Sequence, residues 1–214
     1  MRLRGLQSSN KEHGDTIIEV LFAVTIFAMI AVGSLSIMNQ GTAASQRALE
    51  ITLVRQQIDA QAEAIRFIHQ AYVASFQQGA TPTGTAAQWL AMTNKTTGKG
   101  ADSPSVFGLI DNGQCPSVAP GQKPFILNAR TATVSNSTPL MSPPAGGSLP
   151  PFAEIVYNTD SSISNAYGLW VEAIPSTNAV GPGFVDFHIR ACWDGPGSGD
   201  AVTLGTIVRL YEPR

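Results

Sequence analysis

The chain contains few of the residues that usually carry catalysis or bind metals. Among 214 residues there are three histidines and two cysteines. No Gly-x-Ser-x-Gly motif accompanies the histidines, and the segment Asp194–Asp200 lacks the ligand spacing of an EF-hand calcium loop. His188 follows Asp186 by two residues on one predicted strand face, which is more typical of a solvated polar face than of an active site. We therefore predict that the protein is not an enzyme and uses no metal or cofactor.

Charge is scarce and shows no basic excess. Charged residues make up 13% of the chain, and its formal net charge is −2 at pH 7. A nucleic-acid partner is not expected, because binding to phosphates depends on a basic patch or stripe. The chain has 214 residues, of which 20 are glycine and 14 proline. A chain of this length is expected to form one small soluble domain.

Proline is absent before Pro82, and no charged residue lies in the nineteen residues Val20–Met38. A helix of that length spans roughly 28 Å at about 1.5 Å per residue, close to a bilayer core of about 30 Å. The basic residues before this segment are Arg2, Arg4 and Lys11, and the next is Arg47. Because positive charge marks the cytoplasmic side, we predict a single-pass protein with a cytoplasmic N-terminus and an extracytoplasmic C-terminal domain.

One carboxylate, Glu19, lies at the start of this apolar segment. A carboxylate near hydrocarbon is costly, and it is usually paired or functional. It could pair with a cationic group of a neighbouring subunit. It could equally extend to the interface as a first-turn acid that the helix dipole favours. The residues alone leave both interpretations open.

The run Gly14-Asp15-Thr16-Ile17-Ile18-Glu19-Val20, between a short basic leader and an apolar helix, resembles the class III signal of type IV pilins and pseudopilins. In that family a prepilin peptidase cuts after the glycine and commonly methylates the new amino group. The resemblance implies that residues 1–14 are a leader, that cleavage follows Gly14, and that Asp15 is the new N-terminus and the residue to be methylated. Most relatives begin the mature chain with Phe or Met, so Asp15 departs from the pattern.

The resemblance also implies a role in assembly. The family glutamate is the fifth mature residue, which is Glu19 here, and it would pair with the new N-terminal amine of a neighbouring subunit. The implied function is a structural subunit, of minor type, in a type IV pilus or a type II secretion-like pseudopilus. The implied partners are other pilin subunits through the N-terminal helices, a prepilin peptidase, an assembly ATPase, a platform protein and the membrane.

Two alternatives share the apolar segment but not the processing step. The first is an uncleaved single-pass membrane protein whose external domain binds a ligand or another protein. The second is a conventionally exported domain released by cleavage near Ala31-Val32-Gly33. A secretory signal has a shorter apolar region, of about 7–15 residues. The N-terminal residue of the mature protein distinguishes all three.

Helical periodicity continues beyond the apolar segment. We predict a transmembrane or fibre-core helix over 15–41 and an amphipathic helix over 42–78, continuous with it and capped by Gly79. The apolar residues of the second part recur every three or four positions. They are Ile51, Val54, Ile58, Ala62, Ile65, Ile68, Tyr72 and Phe76.

The rest of the chain changes from loop to strand character. Residues 79–151 are predicted to be loop-rich, with a short helix around Ala86–Met92. Residues 152–214 are predicted to form an antiparallel sheet of about four strands. The predicted strands are Phe152–Tyr157, Tyr167–Ile174, Phe184–Trp193 and Val202–Tyr211. The predicted fold class is α+β and pilin-like, with the long helix packed on the apolar face of the sheet.

The two cysteines lie in different predicted regions, Cys115 in the loop-rich part and Cys192 near the end of a strand. An even number of cysteines in an exported domain favours one disulfide. Pilins often fasten a C-terminal loop with such a bond. Two free, buried thiols are the alternative.

Overall fold

The structure is a computed structural model that describes residues 16–95, 113–116, 118, 123–135, 150–176, 183–195 and 201–213. The chain divides into two compact units, Met1–Ser45 and Gln46–Arg214. Helix α1, Thr16–Ser75, begins in the first unit and ends in the second. The predicted leader lies outside the described residues.

The second unit continues after α1 with short elements and then longer strands. A 3-10 turn at Gly84–Ala86 leads into helix α2, Ala87–Thr93, which confirms the short helix predicted near Trp89. The strands are β1 (Leu127–Asn128), β2 (Thr133–Val134), β3 (Glu154–Tyr157), β4 (Ile163–Tyr167), β5 (Leu169–Pro175), β6 (Phe184–Asp194) and β7 (Ala201–Tyr211).

The main sheet is antiparallel and has the order β5-β6-β7. The ladder between β6 and β7 pairs eleven residues of each strand, from Phe184 with Tyr211 to Asp194 with Ala201. Strands β1 and β2 form a separate two-stranded sheet, as do β3 and β4. Phe125 adds an isolated bridge to Val171 on the outer side of β5.

The main sheet has three strands, whereas the sequence predicted about four. The predicted strand at 152–157 pairs with β4, which the sequence did not predict, instead of joining the main sheet. Gly168 separates the two sheets, because its φ of +62° is a left-handed conformation that favours glycine. A Cβ on this residue would lie 2.2 Å from the carbonyl oxygen of Cys192. No larger residue fits there unless the strands separate.

One hydrophobic core joins α1, α2 and the main sheet. The apolar positions predicted along α1 are its centre, with Val54, Ile65 and Ile68 each 0% exposed. On β6 the alternate residues from Val185 are buried, and Trp193 ends the row. Trp89 of α2 lies between α1 and the sheet, edge-on to Phe187 with ring centroids 5.6 Å apart. The predicted fold class, α+β with a long N-terminal helix packed on antiparallel strands, is confirmed.

The helix ends three residues earlier than the sequence predicted. It stops at Ser75 instead of residue 78, and the amide of Phe76 bonds to the carbonyl of Val73 in a tighter turn. The prediction that Gly79 caps the helix is wrong, because Gly79 lies beyond its end, in a turn where its φ of +84° suits glycine. In this turn the amide of Ala80 donates to the carbonyl of Gln77 at 3.1 Å.

Candidate functional site

The N-terminal part of α1 is the surface that the sequence singled out, and it is apolar on all sides. Fourteen large apolar side chains between Ile17 and Met38 are between 43% and 77% exposed. Soluble monomers rarely expose contiguous apolar patches of this extent. By length and composition, α1 is long and apolar enough to cross a membrane. A helix that is hydrophobic all round needs a membrane or other chains around it.

Glu19 lies in the first turn of α1 and its side chain is exposed. Its carboxylate has no ion-pair partner among the residues that the structure describes. A first-turn acid is favoured by the helix dipole, and this placement suits both interpretations of Glu19. Gly14 and Asp15, the residues of the predicted cleavage site, lie outside the described residues.

The hydroxyl of Thr25, within the apolar segment, is hydrogen-bonded inside the helix. Thr25 donates its hydroxyl to the carbonyl oxygens of Phe22 and Leu21, at 2.8 and 3.1 Å. The helix passes through Gly33 and Gly41, and a Cβ on either glycine would meet no atom within 4 Å. These glycines are therefore not required for packing within the chain. Internal satisfaction of polar groups is what a hydrocarbon environment demands.

The pair His188 and Asp186, which the sequence analysis weighed as a catalytic candidate, is not arranged as a base with its orienting acid. Both oxygens of Asp186 accept hydrogen bonds from Arg209, at 2.8 Å each. These bonds hold the pKa of Asp186 below its ordinary value. His188 receives the Arg190 guanidinium at its Nδ1, at 2.7 Å, so its proton is on Nε2. Burial, followed by the charge of Arg190, lowers the pKa of His188.

These side chains belong to a polar row on the face of the main sheet opposite the core. Glu172 is 0% exposed, and the indole N–H of Trp170 donates to it at 3.4 Å. An Arg190 nitrogen lies 4.0 Å from the same carboxylate oxygen. Both acids of the row already interact with arginines, and Glu172 also accepts from the indole. The row can therefore stabilise the pairing of the strands. No cluster of three or more metal-binding side chains occurs in the described ranges.

Cys115 and Cys192 form the predicted disulfide, with their Cα atoms 5.6 Å apart and a sequence separation of 77. Cys192 is buried beside Trp170. The bond attaches the segment 113–116 to the outer face of the sheet. The amide of Ala201 donates to the carbonyl of Gly113 at 2.7 Å, which fixes the same segment to the start of β7.

Sequence reasoning missed two buried polar residues that connect α1 to the strands. Gln61 is 0% exposed, and its amide bonds both the carbonyl and the amide N–H of Leu127, at 2.7 and 3.0 Å. Glu50 accepts a hydrogen bond from the indole of Trp193 at 3.1 Å. Both lie one position away from the apolar stripe, where a polar residue normally indicates a solvated edge. The sequence therefore carried no signal for either contact.

Comparison of the chain with protein-family models, with curated proteins and with solved structures finds no match.

Proposed function

We propose that this protein is a prepilin-like structural subunit, processed after Gly14 and assembled through its N-terminal helix into a pilus or pseudopilus. The proposal places the chain in the cytoplasmic membrane before assembly and on the outer surface of a fibre after it. Its mechanism is assembly and not catalysis. Prepilin peptidase, an assembly ATPase and a platform protein are the proposed partners.

One observation carries the proposal. The N-terminal part of α1 exposes apolar side chains on all sides and has a single exposed carboxylate, Glu19, in its first turn. A lipid bilayer explains the apolar surface and the helix dipole favours a first-turn acid, while the resemblance to the pilin signal adds a specific partner for that acid. In a bundle of such helices, the acid of one chain can meet the new amine of Asp15 in another. The cost of the unpaired charge is then removed only on docking in register.

The second unit supports the same role. Its core includes buried residues of α1 from Val54 to Ile68, so the domain is attached rigidly to the helix portion Gln46–Ser75. The disulfide and the buried bonds of Gln61 and Glu50 strengthen this attachment.

The experiment is fibre incorporation in a cell that carries a pilus assembly system. Chains with Gly14→Val and, as the matched control, Gly5→Val are compared with the unchanged chain. Gly14→Val should abolish release of the subunit in sheared surface fibres, while Gly5→Val should release it at the unchanged level. Equal release of all three would contradict processing after Gly14. Absence of all three from the fibre fraction would favour an uncleaved membrane protein.

A further inference from the structure

The outer edge of strand β7 pairs with no other strand in the part of the chain that the structure describes. In the main sheet the amide of Cys192 donates to Gly168, so even-numbered residues of β6 point to β5 and odd-numbered ones to β7. In the β6–β7 ladder, odd-numbered residues of β6 pair with even-numbered residues of β7. The backbone N–H and C=O groups of the even-numbered β7 residues therefore point towards β6. The odd-numbered residues of β7 therefore direct their N–H and C=O groups away from the sheet.

Two contacts confirm this direction and mark the ends of the open edge. The amide of Ala201 donates outward to Gly113, at 2.7 Å. The carbonyl of Tyr211 accepts a hydrogen bond from the Nε2 of His69, at 2.8 Å. Between them, the outward groups of Thr203, Gly205, Ile207 and Arg209 have no backbone partner in the described part of the chain. The opposite edge of the sheet differs, because Phe125 exchanges two hydrogen bonds with Val171 there.

Thr203–Arg209 also lacks the features by which proteins protect an exposed edge. It contains neither proline nor lysine, and its ladder with β6 is regular. Its single charge, on Arg209, is occupied by Asp186. Its seven residues lie within the usual strand length of about 3–10 residues.

A groove lies beside this edge and adds side-chain selectivity. Its volume is about 360 Å³, and it is lined by Arg190 and by Thr203–Ile207. Gly205 leaves the space open, whereas Ile207, 59% exposed, forms an apolar wall. The Arg190 guanidinium is directed to His188 and Glu172, so it does not make the groove a charged site.

We propose that the β7 edge, Thr203–Arg209, binds an extended segment of another protein as an added strand, with a large apolar side chain of that segment seated over Gly205. In strand addition, main-chain hydrogen bonds supply affinity and pockets for alternate side chains supply specificity. Both elements are present here. A second copy is the alternative occupant, and the dependence on protein concentration in the test below distinguishes it. The inference does not depend on assembly through Glu19.

The test uses the full chain in detergent micelles and amide hydrogen exchange followed by NMR. The probe is a capped heptapeptide with six threonines around a central leucine, whose symmetric sequence makes strand direction immaterial. In the free protein, the amides of Gly205 and Ile207 should exchange rapidly and those of Leu204 and Thr206 slowly. Peptide binding should slow the first pair alone. A central glycine should weaken binding about tenfold or more, because no leucine side chain would then be buried in the groove.

Variants of the protein locate the site. Ile207→Lys should weaken peptide binding about tenfold, whereas the control Val156→Lys, on a strand outside the main sheet, should leave it unchanged. Gly205 is left unaltered, since a Cβ there would lie 3.0 Å from the Ile189 carbonyl oxygen and disturb the ladder. Three results would overturn the proposal. The first is slow amide exchange of Gly205 and Ile207 in the free protein at every concentration, and the third is exchange that does not respond to the peptide. The second is exchange of these amides that slows as the protein concentration rises, without peptide. The second result would identify a second copy as the occupant.

Discussion

At the scale of single residues, Glu19 connects the sequence to the proposed assembly. It is the one acid on a helix portion that is otherwise apolar as far as Met38. If it meets an amine in a fibre, both charges become buried, and removal of one partner from such a pair typically costs about 3–5 kcal/mol. Its effect should therefore appear in assembly and not in the isolated chain.

Glu19→Gln should leave processing unchanged and lower the amount of subunit in sheared fibres about tenfold or more. The matched control is Asp59→Asn, which neutralises an exposed acid elsewhere on α1. The measurement is the ratio of fibre-bound to total subunit by immunoblot. Incorporation of the Glu19 variant at the level of the control would show that this acid only serves the helix start.

The Asp186–Arg209 pair gives a residue-scale prediction on pH. The pKa of Asp186 is lowered in the folded protein, mainly by the Arg209 hydrogen bonds. Its stabilisation is thus present above the ordinary aspartate pKa of about 3.9 and is lost as the pH falls through the lower folded value. Arg209→Lys removes the bidentate geometry and should move the Asp186 titration upward.

Carbon NMR of the side-chain carboxyl groups measures this shift. Asp160 is the internal control, because its pKa is lowered mainly by the hydroxyl of Ser162 and has no connection with Arg209. The Asp160 titration should remain in place in Arg209→Lys. An unchanged Asp186 titration in this variant would mean that the charge, and not the two hydrogen bonds, determines the pKa.

At the scale of elements, α1 has two functions within one continuous helix. Its N-terminal portion buries no large apolar side chain in the chain itself, whereas its later portion supplies a stripe to the core. The stripe was predictable because apolar residues recur at helical spacing. Its depth was not, since burial depends on how strands distant in sequence come together over it.

Ile65→Ala should lower the free energy of unfolding by about 2–5 kcal/mol, because it removes a fully buried side chain and leaves a cavity. Phe67→Ala is the matched control, since Phe67 is 56% exposed on the same helix, and should change stability by about 0.5 kcal/mol or less. Denaturant titration of both variants measures the difference. Equal losses would contradict the assignment of the buried face of α1.

The disulfide connects segment 113–116 to strand β6. Loss of the bond between Cys115 and Cys192 should lower stability by about 2–4 kcal/mol, in line with other native disulfides. The double variant Cys115→Ala, Cys192→Ala should match the reduced protein in denaturant titrations. A reduced protein as stable as the oxidised one would show that segment 113–116 is held mainly by its hydrogen bond to Ala201.

At the scale of the whole molecule, the sequence predicted the fold class, the order of helix and strands, and the disulfide. These follow from periodicity and from cysteine number, which are local signals. The separation of the strands into several sheets was not predictable, because it depends on the close approach of Gly168 to Cys192. Strand β4 was missed because Ser164 and Asn165 are poor strand formers, and pairing with β3 determines their conformation.

The residues of the candidate site were predicted from a family resemblance and not from periodicity. Gly14, Asp15 and Glu19 were identified by resemblance to a processing signal and stay predictions, while the structure shows that Glu19 and the apolar segment are exposed. The open edge of β7 was not predictable from the sequence. It depends on which strand lies at the border of the sheet and on which residues point outward, and both are properties of the assembled sheet.

The most direct test of the central proposal is the N-terminal residue of the mature protein, measured by mass spectrometry after expression with and without a prepilin peptidase. The account predicts a chain that begins at Asp15 only when the peptidase is present, with or without a methyl group on its amine. A chain that keeps residues 1–14 in both conditions would contradict it and favour a single-pass membrane protein. A start near Ser34 would contradict it in favour of a conventionally exported domain.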